Sequence, residues 1–144
     1  MSRLKVTVGD ATPALFNLLD DVAPETVAAL CKSLPIRGVV THARWAGSAC
    51  WVKTDREPIG QLNQVEHPVT SIYPGFMVVR PSGTGVAEIF IAYGPAESRG
   101  PMGRTYASPV AQLSGDSDAL FEALGRTWAQ GATQIQIELD PAGD

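Results

Sequence analysis

Leu4-Lys5-Val6-Thr7-Val8 alternates apolar and polar side chains, the period of two expected of a β-strand with one buried face. Ile135, Ile137 and Leu139 alternate in the same way with Gln134, Gln136 and Glu138 near the other end of the chain. Working inward, Gly9-Asp10 ends the first run and residues 14–19 return as a second strand. Residues 36–45 and 49–54 read as strands joined at Gly47-Ser48. Tyr73-Pro74-Gly75 turns into the strand 76–80, and Pro81-Ser82-Gly83-Thr84-Gly85 feeds another over 86–93. Two segments carry helical spacing instead. Val27, Leu30, Cys31 and Leu34 make one apolar stripe after Pro24, with Pro35 as the stop. Leu120, Phe121, Leu124 and Trp128 share a face of a helix expected over 116–130, ending at Gly131. Seven or eight strands with two helices do not alternate as βαβ units. The expected fold is therefore mainly β: a closed antiparallel barrel, which removes exposed edges, plugged by one helix at each end.

Composition narrows the partners. The chain has 144 residues, 44% of them hydrophobic and 18% charged, which suits one globular domain over residues 1–144. Its formal net charge is −4 and no run of Lys or Arg occurs, so no nucleic acid is expected as a partner. Met1-Ser2-Arg3-Leu4-Lys5 lacks the apolar core of a signal peptide, and no stretch nears the ~20 apolar residues of a membrane span. Cys31 and Cys50 read as reduced, buried thiols. There is no C-x-x-C, and the two histidines are far apart, so no metal is expected. The expectation is a cytoplasmic protein that needs no metal or organic cofactor and binds a small molecule. Small barrels often pair, so a homo-oligomer stays open.

Several residues could carry chemistry. His42 and Arg44, two apart in an expected strand, would leave one sheet face together. His42 could act as acid or base near neutral pH and Arg44 as a bidentate carboxylate clamp; alternatively this is the wet outer face. Trp45 reads as core, whereas Trp51 could form a flat wall for a planar ligand. The long polar loop 55–70 ends in Glu66-His67. Glu66 could fold back as a general base with His67 at a pocket rim, or could cap backbone N–H groups. Tyr73 and Tyr93 border Gly-containing turns and could reach a ligand or point to water. Glu97, Arg99 and Arg104 lie in a second irregular stretch, 94–103 and just beyond, where they could gate a pocket or bind an anion. Ser48 has no acid and base nearby in sequence for a triad.

Ala23-Pro24-Glu25-Thr26-Val27 resembles the start of the first helix in cyclophilins. With Leu34-Pro35, His42-Ala43-Arg44-Trp45-Ala46-Gly47, Glu66-His67, Tyr73-Pro74-Gly75 and Ala92-Tyr93-Gly94, most of the chain resembles, in order, a cyclophilin-like family of bacterial proteins of unknown function. That family looks related to the opine-forming cucumopine and mikimopine synthases, which condense histidine with a 2-oxo acid. The resemblance implies a cyclophilin-like barrel with a small-molecule pocket. It also implies an enzyme acting on a carboxylated, nitrogen-containing metabolite, by a Pictet–Spengler-type condensation or another ring-forming or ring-opening step. His42 and Glu66 would then be catalytic, and Arg44, Trp51, His67, Tyr73 and Tyr93 would bind substrate. A non-catalytic metabolite-binding module or enzyme subunit is the alternative. The Phe-His-Arg strand and proline-binding aromatics of true cyclophilins have no match here, which disfavours a peptidyl-prolyl isomerase.

Overall fold

Every run of strict alternation is a strand in the computed structural model, which describes residues 2–140. In chain order the elements are β1 (Arg3–Val8), β2 (Ala14–Leu18), α1 (Pro24–Ser33), β3 (Ile36–His42), β4 (Gly47–Thr54), β5 (Ser71–Ile72), β6 (Phe76–Pro81), β7 (Ala87–Glu97), β8 (Arg99–Gly100), β9 (Gly103–Arg104), β10 (Ser108–Leu113), α2 (Asp118–Gln130) and β11 (Thr133–Asp140). Hydrogen-bonded neighbours run β4-β3-β11-β1-β2-β10-β6-β7, and β7 pairs back onto β4. The sheet is thus a closed barrel of antiparallel strands, as expected, and the ladder leaves no free edge in the ring.

Alternation decides which side chains fill the barrel. Leu4, Val6 and Val8 of β1, Phe16 of β2, Val52 of β4, Met77 and Val79 of β6, Ile89 and Ile91 of β7, and Ile135 and Ile137 of β11 form one buried cluster. The helices close its ends. α1 connects the end of β2 to the start of β3, whereas α2 lies by the end of β3 and packs on β3 and β4. Val27 and Leu30 of α1, and Leu120 and Leu124 of α2, are buried in the same cluster.

Three features depart from the sequence reading. β10 was not anticipated: Ser108-Pro109-Val110-Ala111 lacks clean alternation, and its pairing with β6 slips register between Pro109 and Ala111. β3 stops at His42 and a single 3-10 turn, Arg44–Ala46, follows, so Arg44 is not a strand residue. Trp45, on that turn, is 44% exposed rather than core. β7 instead runs longer than its apolar stretch: Ala96 still pairs with Gly47 of β4, and Ala96 and Glu97 pair on the other side with β5.

Candidate functional site

The outer face of β4, β7 and β6 is organised in cross-strand rows. Lys53 lies opposite Glu88, which lies opposite Arg80. One step along, Trp51 faces Phe90 and Phe90 faces Val78; the next pair, Ala49 and Ala92, is small. A charged row, an aromatic row and a small-residue row thus stand side by side on one wall. Trp51 stacks near Phe90 at 6.1 Å between centroids, and the Trp45 ring meets Trp51 edge-on at 5.2 Å. Phe90 and Val78 are buried although they face outward, because residues 98–107 cross the wall as a strap.

Arg80 anchors the strap. Its Nη1 donates to the Arg99 carbonyl at 2.6 Å and to Thr105 Oγ1 at 2.8 Å. Its Nε donates to Glu88 Oε1 at 2.9 Å, with Nη2 2.8 Å from the same oxygen. Trp45 Nε1 also donates to the Arg99 carbonyl, and reciprocal bonds between Val69 and Ala107 tie down the far end. Arg99 and Arg104 both pair with Glu97, so these three charges, considered from sequence as a gate or anion site, hold one another.

A cleft lies on each side of the strap. The first, of about 380 Å³, is lined by Trp45, Trp51, Arg80, Glu88, Gly100 and Pro101. Glu88 Oε2 takes no protein hydrogen bond there among the described residues, and Lys53 Nζ sits 4.9 Å over the Trp51 ring with no carboxylate in ion-pair range. Two indoles and a carboxylate oxygen can together hold a planar cation, with Lys53, which lies over Trp51 and is not itself part of the lining, as the adjacent positive charge. The second cleft, of about 270 Å³, has an apolar floor that includes Val69, Phe76, Val78 and Pro109, with His67, Ser71 and Tyr73 among its lining. A smaller hollow of about 190 Å³ between Gly9-Asp10 and the end of α2 is mostly polar, with no aromatic wall.

The residues singled out from sequence fall into separate groups. Trp51 belongs to the first cleft, and His67 and Tyr73 line the second. His42 and Tyr93 meet inside the barrel end beneath α2. His42 is 8% exposed, its Nε2 lies 2.6 Å from the Tyr93 hydroxyl, and its buried Nδ1 has no partner. Burial, then the nearby Arg44 charge, lowers the pKa of His42 and keeps it neutral. Burial, then the neighbouring Cys50, raises Tyr93, although a hydrogen bond with Ser48 works the other way. Burial, only partly offset by a hydrogen bond with Thr127, pushes the Cys50 thiol up to about 11, an inert form at neutral pH.

Arg44 joins this end from outside. It donates to the Trp128 carbonyl in the last turn of α2, and its guanidinium covers the Trp128 ring at 4.2 Å, while His42 meets the same ring edge-on at 4.8 Å. His42 and Arg44 therefore converge on Trp128, though not by strand alternation, and neither lines the clefts beside the strap.

Glu66 sits at the start of α1, whose N-cap, Ala23, has no side-chain acceptor. Its carboxylate receives the backbone N–H of Glu25 at 3.2 Å and of Thr26 at 2.6 Å, plus the Thr26 hydroxyl at 2.7 Å. Burial acts to raise its pKa, but these hydrogen bonds outweigh it and hold Glu66 below the usual carboxylate value. Arg80 and Glu88 were missed from sequence. The available signal was the 81–86 turn, which folds two extended runs together and sets residue 80 opposite residue 88.

No group of three or more His, Cys, Asp or Glu side chains placed to hold a metal occurs among the described residues, and no helix there is long and apolar enough to cross a membrane. Comparison with curated proteins returns no match. Among solved structures, McbB in complex with tryptophan superposes with a TM-score of 0.72 at 18% identity, over 94% of this chain and 44% of that one. This chain thus spans less than half of McbB. The hypothetical protein AF2241 from Archaeoglobus fulgidus superposes with a TM-score of 0.60 at 16% identity, over 95% of this chain and 93% of that one. At such identities the likeness is one of fold. A family model matches nearly the whole sequence, residues 7–139, and by that match the chain belongs to a family described as protein of unknown function, DUF3830.

Proposed function

We propose that the protein binds a small carboxylated, nitrogen-containing metabolite in the cleft between the strap and the Trp45–Trp51 corner, and acts on it there. One observation carries the reading: an unshared carboxylate oxygen, Glu88 Oε2, beside two indoles in a hollow of about 380 Å³. A protonated nitrogen would sit on Glu88 Oε2, the planar part of the ligand against Trp51, and its carboxylate on Lys53. McbB, similar in fold, has been seen with tryptophan, which is a molecule of this class.

The resemblance to opine synthases suggests a reaction for such a site. Glu88 would take a proton from the bound ammonium, and the freed amine would add to the carbonyl carbon of a second reactant. Loss of water gives the imine, and ring closure follows by attack of a ligand carbon, with a proton leaving. Arg80, bonded to Glu88 Oε1 through Nε and Nη2, holds the Glu88 carboxylate in place and so acts as a positioning residue. In this reading His42 and Glu66 shape the barrel end and the start of α1.

A non-catalytic metabolite-binding module is the second reading. It is favoured by Glu88 already sharing one oxygen with Arg80 and by both imidazoles lying outside this cleft. Isothermal titration with amino acids and 2-oxo acids, followed by product analysis, separates the two. Both readings expect saturable binding weakened about tenfold or more in Glu88→Gln, a loss of about 1.4 kcal/mol. Only the first expects product. Undiminished affinity in Glu88→Gln and Lys53→Met would sink both. A proline-peptide isomerisation assay is expected to be blank.

A further inference from the structure

We infer that the second cleft, on the β5 side of the strap, is a separate binding site for a neutral planar ring bearing one hydrogen-bonding substituent. The inference does not depend on the function proposed for the first cleft. Three observations support it.

The floor is apolar and already walled. Phe76 and Val78 rise from the outer face of β6, Pro109 lies opposite Val78 on β10, and Val69, Leu19 and Val22 complete the apolar lining. The Tyr73 ring meets Phe76 edge-on at 6.4 Å. A volume of about 270 Å³ falls at the small end for ligand sites, which begin near ~300 Å³, so it fits one ring rather than a chain or a fused polycycle.

No carboxylate, lysine or arginine lines the cleft. Its polar side chains come from one segment, 67–73: His67, Ser71 and Tyr73. Those groups can donate to or accept from a hydroxyl, carbonyl or ring nitrogen. They offer no fixed charge to an anion, whereas the first cleft has Glu88 and Arg80.

His67 is also held where its backbone would not rest unaided. It is the only non-glycine residue with positive φ among the described residues, at 47°. Both flanks impose this. Glu66 is fixed through its carboxylate to the start of α1 and through its N–H to Ser108 Oγ at 2.8 Å. Val69, two residues on, is paired in both directions with Ala107. The chain has only Pro68 in which to connect them, and the outcome puts the imidazole on the cleft wall. Such over-determined conformations gather at ligand clamps.

The test is a titration of the full chain with p-cresol, followed by backbone amide and indole resonances in two-dimensional NMR. Saturable shifts are expected at Val69, Ser71, Tyr73, Phe76 and Val78, while the Trp45 and Trp51 indole signals stay still. Benzoate, of similar shape but charged, is expected to bind at least about tenfold more weakly. Phe76→Ala should weaken p-cresol by about tenfold. His67→Asn, which tolerates the same backbone, should weaken p-cresol several-fold while leaving toluene unchanged. Shifts confined to the first cleft, or no saturation up to the solubility of p-cresol, overturn the proposal. So does benzoate binding as tightly as p-cresol, or full affinity in a folded Phe76→Ala.

Discussion

Replacing Glu66 separates a helix-capping role from a catalytic one without knowledge of any substrate. In Glu66→Ala, the N–H groups of Glu25 and Thr26 lose their acceptor and the Thr26 hydroxyl loses its partner. Loss of a side-chain cap costs about 0.5–2 kcal/mol, and loss of a negative charge at a helix start a further 0.3–1 or so. At the start of α1 Glu25 is exposed and its N–H can rehydrate, whereas Thr26 is buried and its N–H and hydroxyl lose their partner, so the total expected is about 2 kcal/mol. For a chain of this length that lowers Tm by roughly 4–8 °C. Glu66→Gln keeps an acceptor oxygen but no charge, and should cost about 1 kcal/mol. The charge component has a pH signature. The folded state lowers the Glu66 pKa, so its contribution is complete above the unfolded value near 4.5 and fades as pH falls through the lower folded value. Thermal unfolding followed by circular dichroism at pH 7 and pH 3 reads this directly: the wild-type advantage over Glu66→Gln should shrink at the acid end. A Glu66→Gln protein as stable as wild type at pH 7, with an unchanged acid limb, would refute the capping argument.

Further expectations concern the barrel end and the strap. Tyr93→Phe leaves both ring nitrogens of His42 without a protein partner and should cost about 1–3 kcal/mol, measured by urea unfolding at neutral pH. Because the fold lowers the His42 pKa, the unfolded chain binds its proton first as pH falls below about 6.5. Stability should therefore decline on acidification from there, and an NMR titration should place His42 below that value; a His42 pKa above 7 would contradict its burial as a neutral group. Arg80→Met removes the two bonds that Arg80 itself makes to the strap and strands Glu88, whose side chain is 20% exposed. A loss of about 3 kcal/mol is expected, with faster proteolysis at residues 99–104; an unaltered cleavage rate would show that the strap is held by other contacts.

The fold was legible because a closed barrel writes its interior in alternation. β1 and β11 show it most clearly, with Val6 facing Ile137 across the ladder. β10 was hidden because a buried Pro and a register slip break the period that reveals a strand, and only its neighbours β2 and β6 make it one. The end of β3 was hidden for a related reason. Ala43 and Ala46 are buried in one cluster with Ile72, Val78, Phe90 and Ala107, which lie far along the chain, and the chain leaves the sheet after His42. Trp51 was readable as an outer wall from its place beside Cys50 and Val52. The partnership of Arg80, Glu88 and the strap was not, since it depends on a carbonyl and a hydroxyl from residues 99 and 105 arriving over the same sheet face. Glu66 could have been paired with α1 on chemistry alone, because the helix starts at Ala23-Pro24 without a capping side chain of its own.

A structure of the protein soaked or crystallised with the tightest binder from the amino-acid and 2-oxo-acid panel addresses the central claim most directly. The account predicts the ligand against Trp51, its nitrogen within hydrogen-bond distance of Glu88 Oε2, and the strap in place above it. A ligand found instead beneath α2, touching His42 and Tyr93 with Trp128 displaced, would contradict it.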